Sequence, residues 1–386
     1  MTWADWVAVL AAVLALIALA VGVALWRRQQ VLQHRLGHDT AARAGTADGA
    51  AGDDDARKRL IAFVANPTKN GVSDLRAVVR RACAEQYLPE PLWLETTQED
   101  PGVGQAREAL ERGADVVVAV GGDGTVRAVA EALVGTGVPM GLLPVGTGNL
   151  LARNLDIPLN DPLAALQIAI SGPDRAIDVG WLRVLRFESD VRDEVAQATD
   201  DLPEGTDVPR DHIFLVIAGI GFDAAMVADA DDDLKAKVGW IAYFVAGVKH
   251  LHGRRLRTTV TLDDAPPTTT RLRSLLVGNC GRLPGGITLL PDAVLDDGWL
   301  DIAAIDTRGG IAGWAQLFGE VVLQGVGVRN QLPAKIGRID HARTREVHLR
   351  VEGGEHVQVD GDVLGVASEL SARVEPGALV VRTAGS

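Results

Sequence analysis

Four short segments of the chain carry residue types that could do chemistry together. Gly121-Gly122-Asp123-Gly124-Thr125 follows the β-branched run Ala114–Val120 and precedes a helical pattern. Glycines there tolerate left-handed backbone and let N–H groups approach an anion with no Cβ in the way. The positive end of the following helix points at the same spot. Pro144-Val145-Gly146-Thr147-Gly148-Asn149 and Asn66-Pro67-Thr68-Lys69-Asn70-Gly71 also follow predicted strands. Asp123 would repel a bare phosphate, but it suits a loop in which a Mg²⁺ ion lies between the two, or in which the carboxylate holds a hydroxyl or water. The fourth segment, Asp360-Gly361-Asp362, offers carboxylates that could take a proton from an attacking hydroxyl. As a bare sequence it reads more readily as a tight hairpin turn.

The elements that must position these loops are legible from periodicity. Leu60–Ala65, Leu92–Glu95, Ala114–Val120 and Met140–Pro144 read as short strands. Helical spacing is expected over Ser73–Gln86, Gly104–Arg112, Val126–Val134 and from Asn149 to Asn154. Alternation of strand and helix predicts a doubly wound α/β domain with a parallel sheet. Loops after parallel strands converge on one sheet edge, where open α/β folds bind ligands. Three such loops there predict a site for a nucleotide polyphosphate. It is not a Walker A loop, because GxxxxGK[ST] is missing, nor the dinucleotide fingerprint, because its third glycine is missing.

Beyond about Ile177 the pattern turns to short alternating segments, among them Trp181–Arg186, Ile213–Ala218, Arg271–Val277 and Val347–Val351. These predict a β-rich second domain. Helical patterns interrupt it at Leu234–Leu251 and Ile311–Val326, and Glu188–Asp211 reads as an acidic insertion.

Composition narrows the class. The 386 residues suggest two domains, and 47% hydrophobic against 23% charged residues can bury a core. There are 38 basic and 51 acidic side chains, a net charge of −13, which argues against a nucleic-acid partner. Two cysteines, Cys83 and Cys280, exclude a disulfide framework. At the front, Trp6–Trp26 runs 21 residues without a charge and is followed by Arg27 and Arg28. That pattern predicts a single transmembrane helix, residues 1–28 with the span at 6–26, with the N-terminus outside and the rest cytoplasmic at the cell membrane. Residues 29–58, small, polar and acidic toward their end, read as a flexible linker.

NPTKNG, GGDGTV and PVGTGN at these separations resemble the diacylglycerol kinase catalytic-domain family, in its branch of bacterial lipid kinases related to sphingosine and ceramide kinases. The resemblance runs from about Arg59 to Thr383, although NAD kinases and phosphofructokinases share the core of GGDGT. It implies an ATP-binding α/β kinase domain over 59–175 and a β-sandwich lipid-kinase domain over 176–386, with the last strand returning to the first domain. It implies an ATP-dependent lipid kinase, most directly one converting diacylglycerol to phosphatidic acid. The alternatives are a sphingoid-base or ceramide kinase, a NAD-kinase-like enzyme, and a non-catalytic nucleotide-binding membrane protein.

Carried over by position, Asn66, Thr68, Gly71, Thr96, Gly121, Gly122, Asp123, Gly124, Thr125, Arg127 and Thr147 would line the ATP site. Asp362 would be the general base and Asp360 its supporting partner. Pro291–Asp301 resembles the family's loop for a structural Mg²⁺, which implies Asp297 through its side chain and Val294 and Trp299 through their carbonyls. Otherwise that stretch is an Asp-Asp-Gly turn. Ala218–Asp223 resembles a GxGFDA segment and is otherwise a strand-end turn. The chain departs from the family pattern at Arg127, where Asn is usual, at Leu150, where Asp is frequent, and at Asp362, one methylene shorter than the usual Glu.

Overall fold

The computed structural model describes residues 59–187, 210–221, 255–283, 288–307 and 337–385. The first half alternates as expected: β1 (Ile61–Ala65), α1 (Val72–Glu85), β2 (Leu92–Glu95), α2 (Val103–Glu111), β3 (Val116–Gly121), α3 (Asp123–Leu133), β4 (Met140–Pro144), α4 (Leu150–Asn154) and α5 (Pro162–Ser171). All five residues of β1 and all six of β3 are buried. That explains their unbroken apolar runs, since a parallel strand covered on both faces has no solvent side to alternate toward. Each fully buried large side chain among them, such as Phe63 stacked on Trp93 at 6.1 Å, contributes about 1.5–3 kcal/mol.

The second half is antiparallel: β5 (Asp174–Phe187), β6 (Asp211–Phe214), β7 (Ile217–Ile220), β8 (Leu256–Leu262), β9 (Thr268–Leu272), β10 (Ser274–Gly278), β11 (Leu300–Thr307), β12 (Gly337–Thr344), β13 (Glu346–Val359) and β14 (Asp362–Arg382). The two halves share one 14-stranded sheet, ordered β12-β11-β10-β7-β13-β14-β4-β3-β1-β2, with β5, β6, β8 and β9 branching from it. The join is β14, which pairs antiparallel with β13 and β5 and then reaches β4 in parallel through Val381 and Met140. Because β14 begins at Asp362 and ends beside β4, one strand links the candidate base to the α/β half. Gly135 N–H, just past α3, donates to Ala378 O of the same strand at 2.9 Å.

Three expectations change. Arg271–Val277 divides between β9 and β10, with Arg273 in neither. Ile213–Ala218 is not one strand but β6 and β7, broken at Leu215 and Val216. The N–H groups of these two residues leave the ladder to serve the Asp360 carboxylate. The single-pass helix, and the cell-membrane localisation resting on it, is withdrawn: among the described residues no helix is long and apolar enough to cross a membrane. Residues 6–26 themselves, the linker at 29–58, the insertion at 188–209 and the helical patterns at 234–251 and 311–326 lie outside the described residues.

Candidate active site

The sheet order puts β4, β3 and β1 side by side and parallel, so the loops leaving them emerge together. Their contacts are direct. Asn66 N–H donates to Val120 O at 2.9 Å, and Val145 N–H donates to Gly121 O at 3.1 Å. A Cβ on Gly146 would sit 2.6 Å from Gly122 Cα, and one on Gly122 would come within 4.0 Å of Lys69 Cε. Asn66, Gly122 and Gly146 therefore belong to one cluster, and only glycine permits the approach of the second and third loops.

Each loop is held by its own polar bonds. Asn66 Oδ1 accepts from Thr68 N–H at 3.0 Å and from its hydroxyl at 2.7 Å, and the turn closes at Gly71 with φ 81°. Asn149, left-handed at φ 49°, caps α4 and clamps the third loop by accepting from Gly146 N–H (3.1 Å) and donating to Gly146 O (2.6 Å). Thr147 is exposed beside it. Thr96, buried, follows β2 and donates its N–H to Ala65 O at 2.9 Å.

Asp123 opens α3, one residue after the extended Gly122. Its carboxylate accepts from Leu150 N–H at 2.6 Å and so ties the second loop to the third. Gly148 has no Cβ for a matching reason, since one would lie 2.4 Å from Asp123 Oδ2. Burial raises the Asp123 carboxyl above its ordinary value, opposed by backbone N–H bonds from Leu150 and Asn149 and by the Arg153 charge. Thr125 is buried against Gly121, while Gly124 is exposed with nothing within 4 Å of its absent side chain. The first turn of α3 thus presents a bare backbone to open space, the arrangement that accepts an anion at a helix N-terminus.

The Asp360-Gly361-Asp362 segment is both the hairpin and the carboxylate site. Asp360 at φ 47° and Gly361 at φ 93° form the two-residue corner between β13 and β14. The two acids have different roles. Asp360 is a buried backbone latch, accepting N–H groups from Leu215 (2.7 Å), Val216 (2.9 Å) and Ile217 (2.9 Å). Burial pushes its carboxyl up to about 6, opposed by those three donors and by Arg127. Asp362 is 57% exposed at the side chain and contacts the guanidinium of Arg127, one helical turn beyond Asp123. The geometry leaves Asp362 as the carboxylate accessible to a ligand.

In the stretch expected to hold a structural Mg²⁺, the Asp297 carboxylate has protein partners. Both oxygens of Asp297 are engaged, Oδ1 by Trp299 N–H at 3.1 Å and Oδ2 by the Arg343 guanidinium, whose Nε also lies 3.6 Å from Asp301. Val294 is exposed. The turn is further held by buried Asp178, which accepts from Gly298 N–H at 2.6 Å and Gly377 N–H at 2.8 Å. The Arg343 guanidinium thus bridges Asp297 and Asp301 across the turn.

Sequence reasoning missed Lys69, Asn149 and Arg153 as site residues. Lys69 and Asn149 stood inside the quoted loops, and a cation and an amide at those positions were the available signals. Arg153, whose Nε donates to Gly148 O at 2.7 Å, gave none.

Comparison with known proteins accords with this geometry. Residues 61–182 match the family described as "Diacylglycerol kinase catalytic domain", and residues 216–383 match "YegS C-terminal NAD kinase beta sandwich-like domain". A Pseudomonas aeruginosa protein named "Probable lipid kinase YegS-like" is 31% identical over 337 residues, covering 84% of this chain and 94% of that protein. A Mycobacterium tuberculosis protein named "Diacylglycerol kinase" is 30% identical over 277 residues, covering 71% and 78%. In fold, the crystal structure of a diacylglycerol kinase from Bacillus anthracis superposes with TM-score 0.60 at 20% identity, over 84% of this chain and 97% of the other.

Proposed function

The chain belongs to the diacylglycerol kinase catalytic-domain family, and on that premise we propose that it transfers the γ-phosphoryl group of MgATP to a lipid hydroxyl, with diacylglycerol as acceptor and phosphatidic acid as product. The observation that carries the reading is the meeting of Gly122 and Gly146 at the open first turn of α3, with the exposed Asp362 carboxylate one helical turn away on Arg127. Backbone N–H groups at that turn would hold the phosphates, Lys69 would add a positive charge beside them, and MgATP enters as a complete substrate. The lipid oxygen attacks the γ-phosphorus, a new P–O bond forms, the bond to the β,γ-bridging oxygen breaks, and ADP leaves with that electron pair. The hydroxyl proton passes to Asp362, since a base must lie within hydrogen-bond reach of the attacking oxygen. Asp360 takes no proton in this scheme, because its oxygens are committed to three backbone donors.

The test is product analysis by thin-layer chromatography with γ-labelled ATP and a panel of diacylglycerol, ceramide, a sphingoid base and NAD. Labelled phosphatidic acid is expected, and Asp362→Ala should lower its formation by about 10²–10⁴-fold. Label appearing in NAD, or an undiminished Asp362→Ala enzyme, contradicts the reading.

A further inference from the structure

The carboxylate assigned as base is held by a residue 235 positions away in sequence, and the pair has an asymmetry that bears on catalysis. Arg127 projects from the second turn of α3, with a side chain only 20% exposed, whereas Asp362 opens β14 and is 57% exposed. The guanidinium is the anchored member and the carboxylate the outer one. The neighbouring charges are otherwise engaged. Glu131, one turn along α3, receives Arg210 at 2.9 Å, and Asp211 on β6 receives both Arg183 (2.6 Å) and Arg373 (3.1 Å). Asp360 is enclosed by its three N–H donors but feels the Arg127 charge, as does His212 on β6, whose imidazole is pushed down by burial first and by Arg210 and Arg127 next.

The contact engages Oδ2 of Asp362. A carboxylate has a second oxygen with lone pairs of its own, so the pair fixes the orientation of an exposed side chain while leaving Oδ1 for a hydroxyl. Placement on the helix then brings the guanidinium near the phosphates. A base within about 3 Å of the attacking oxygen, and that oxygen within about 3–3.5 Å of the phosphorus, put the base itself up to roughly 6 Å from the phosphorus. Arg127 touches that base from α3, one turn along from the phosphate site proposed at Gly122–Thr125, so a second arm of the same fork can turn toward the phosphoryl oxygens. Arginine, unlike lysine, offers several N–H groups in fixed directions and can serve two acceptors at once.

Resting on the kinase reading above, we propose that Arg127 is a positioning residue shared between the base and the transferred phosphoryl group. One arm of its guanidinium holds Asp362 for the lipid hydroxyl, and the other meets the γ-phosphoryl oxygens of bound ATP. The hydroxyl proton still goes to Asp362, the phosphoryl group still goes to the lipid oxygen, and Arg127 itself gains and loses no proton.

The experiment compares full-length wild type, Arg127→Gln and Arg127→Lys by calorimetric titration with ATP and with ADP in the presence of Mg²⁺, beside kcat on diacylglycerol in mixed micelles. ADP lacks the γ-phosphoryl group, so a γ-directed contact shows as the ratio of the two affinities. In Arg127→Gln the preference for ATP over ADP should fall by about 10-fold or more while ADP affinity stays within about twofold, as expected for one lost charge-assisted bond. Its kcat should fall by at least about 10²-fold, the loss typical of one donor to developing charge. Arg127→Lys should recover much of the ATP preference but little of kcat, because a point charge cannot hold both partners. A merely structural role would lower both affinities together and lower the melting temperature, and that result, or an unchanged ATP-to-ADP ratio, overturns the proposal. Failure of the kinase reading is distinct: wild type would then bind ATP but label no lipid, and the ATP-to-ADP ratio would still report on Arg127.

Discussion

Two glycines in the loop cluster should respond to alanine in opposite ways, and the contrast isolates where a ligand sits. At Gly146 an added Cβ would stand 2.6 Å from Gly122 Cα and 3.0 Å from Asn149 Oδ1. Carbon atoms settle at about 3.5–4.0 Å, so the second and third loops must part by about 1 Å. Such overpacking costs about 1–3 kcal/mol of stability, and a misplacement of that size costs roughly 10²-fold in rate. At Gly124 an added Cβ would meet nothing within 4 Å. Gly124 is the second residue of α3, where alanine is the better helix former by up to about 1 kcal/mol. Gly124→Ala should therefore leave stability unchanged or raised, yet lower ATP affinity by about 10-fold, because its methyl group occupies the space through which a phosphate would reach the backbone N–H groups. Urea unfolding and calorimetric ATP titration of the two variants decide the matter. A Gly124→Ala protein that binds ATP as wild type does would refute the reasoning, because that open space would then not be the phosphate's.

The Asp360 latch predicts a pH effect on stability. Its buried carboxyl ionises near 6 in the folded chain against about 3.9 unfolded, so the folded state binds the proton more tightly. The stabilisation from this group is complete below about pH 4 and is lost as pH rises through about 6, a change on the order of 3 kcal/mol. Urea unfolding from pH 4 to 7 should show that slope in wild type and lose it in Asp360→Asn; parallel curves would contradict the account. Asp360→Ala should cost several kcal/mol at any pH, at about 1–3 kcal/mol for each buried N–H left unpaired, and a melting temperature equal to wild type would count against the latch. For the 291–301 turn, chelation of divalent ions should leave the melting temperature unchanged, whereas Arg343→Gln should lower it. A melting point that climbs with added Mg²⁺ in the absence of nucleotide would show that a cation, and not Arg343, holds that turn.

Much of the α/β half was legible because its signals are local. β1 and β3 are fully buried parallel strands, and such strands announce themselves as unbroken apolar runs bounded by Asn66-Pro67 and by glycines. The start of α3 was placed three residues late, at Val126, because Asp123-Gly124-Thr125 reads as loop while its backbone is already helical. What the loop glycines are for was only partly legible. The glycines of Gly121–Thr125 suggest room for a ligand, but Gly146 makes room for Gly122, and Gly148 for Asp123, which are relations between loops and invisible within one. The same holds for the broken strand at Leu215–Val216, whose cause lies 145 residues downstream at Asp360. The pairing of Asp297 with Arg343, 46 residues later, is equally invisible within its own turn. Residue types fixed which chemistry was available, and tertiary pairing decided which of those residues remained open to perform it.

The central claim is that the loops after β1, β3 and β4 form one phosphate cradle facing Asp362. A crystal structure of the chain with Mg²⁺ and a non-hydrolysable ATP analogue tests it most directly. The account places the β- and γ-phosphates against the backbone N–H groups at Gly122–Thr125, bordered by the Asn66–Gly71 and Gly146–Asn149 loops, with the γ-phosphate facing Asp362. A nucleotide bound elsewhere, or one whose phosphates point away from that helix turn, would contradict it.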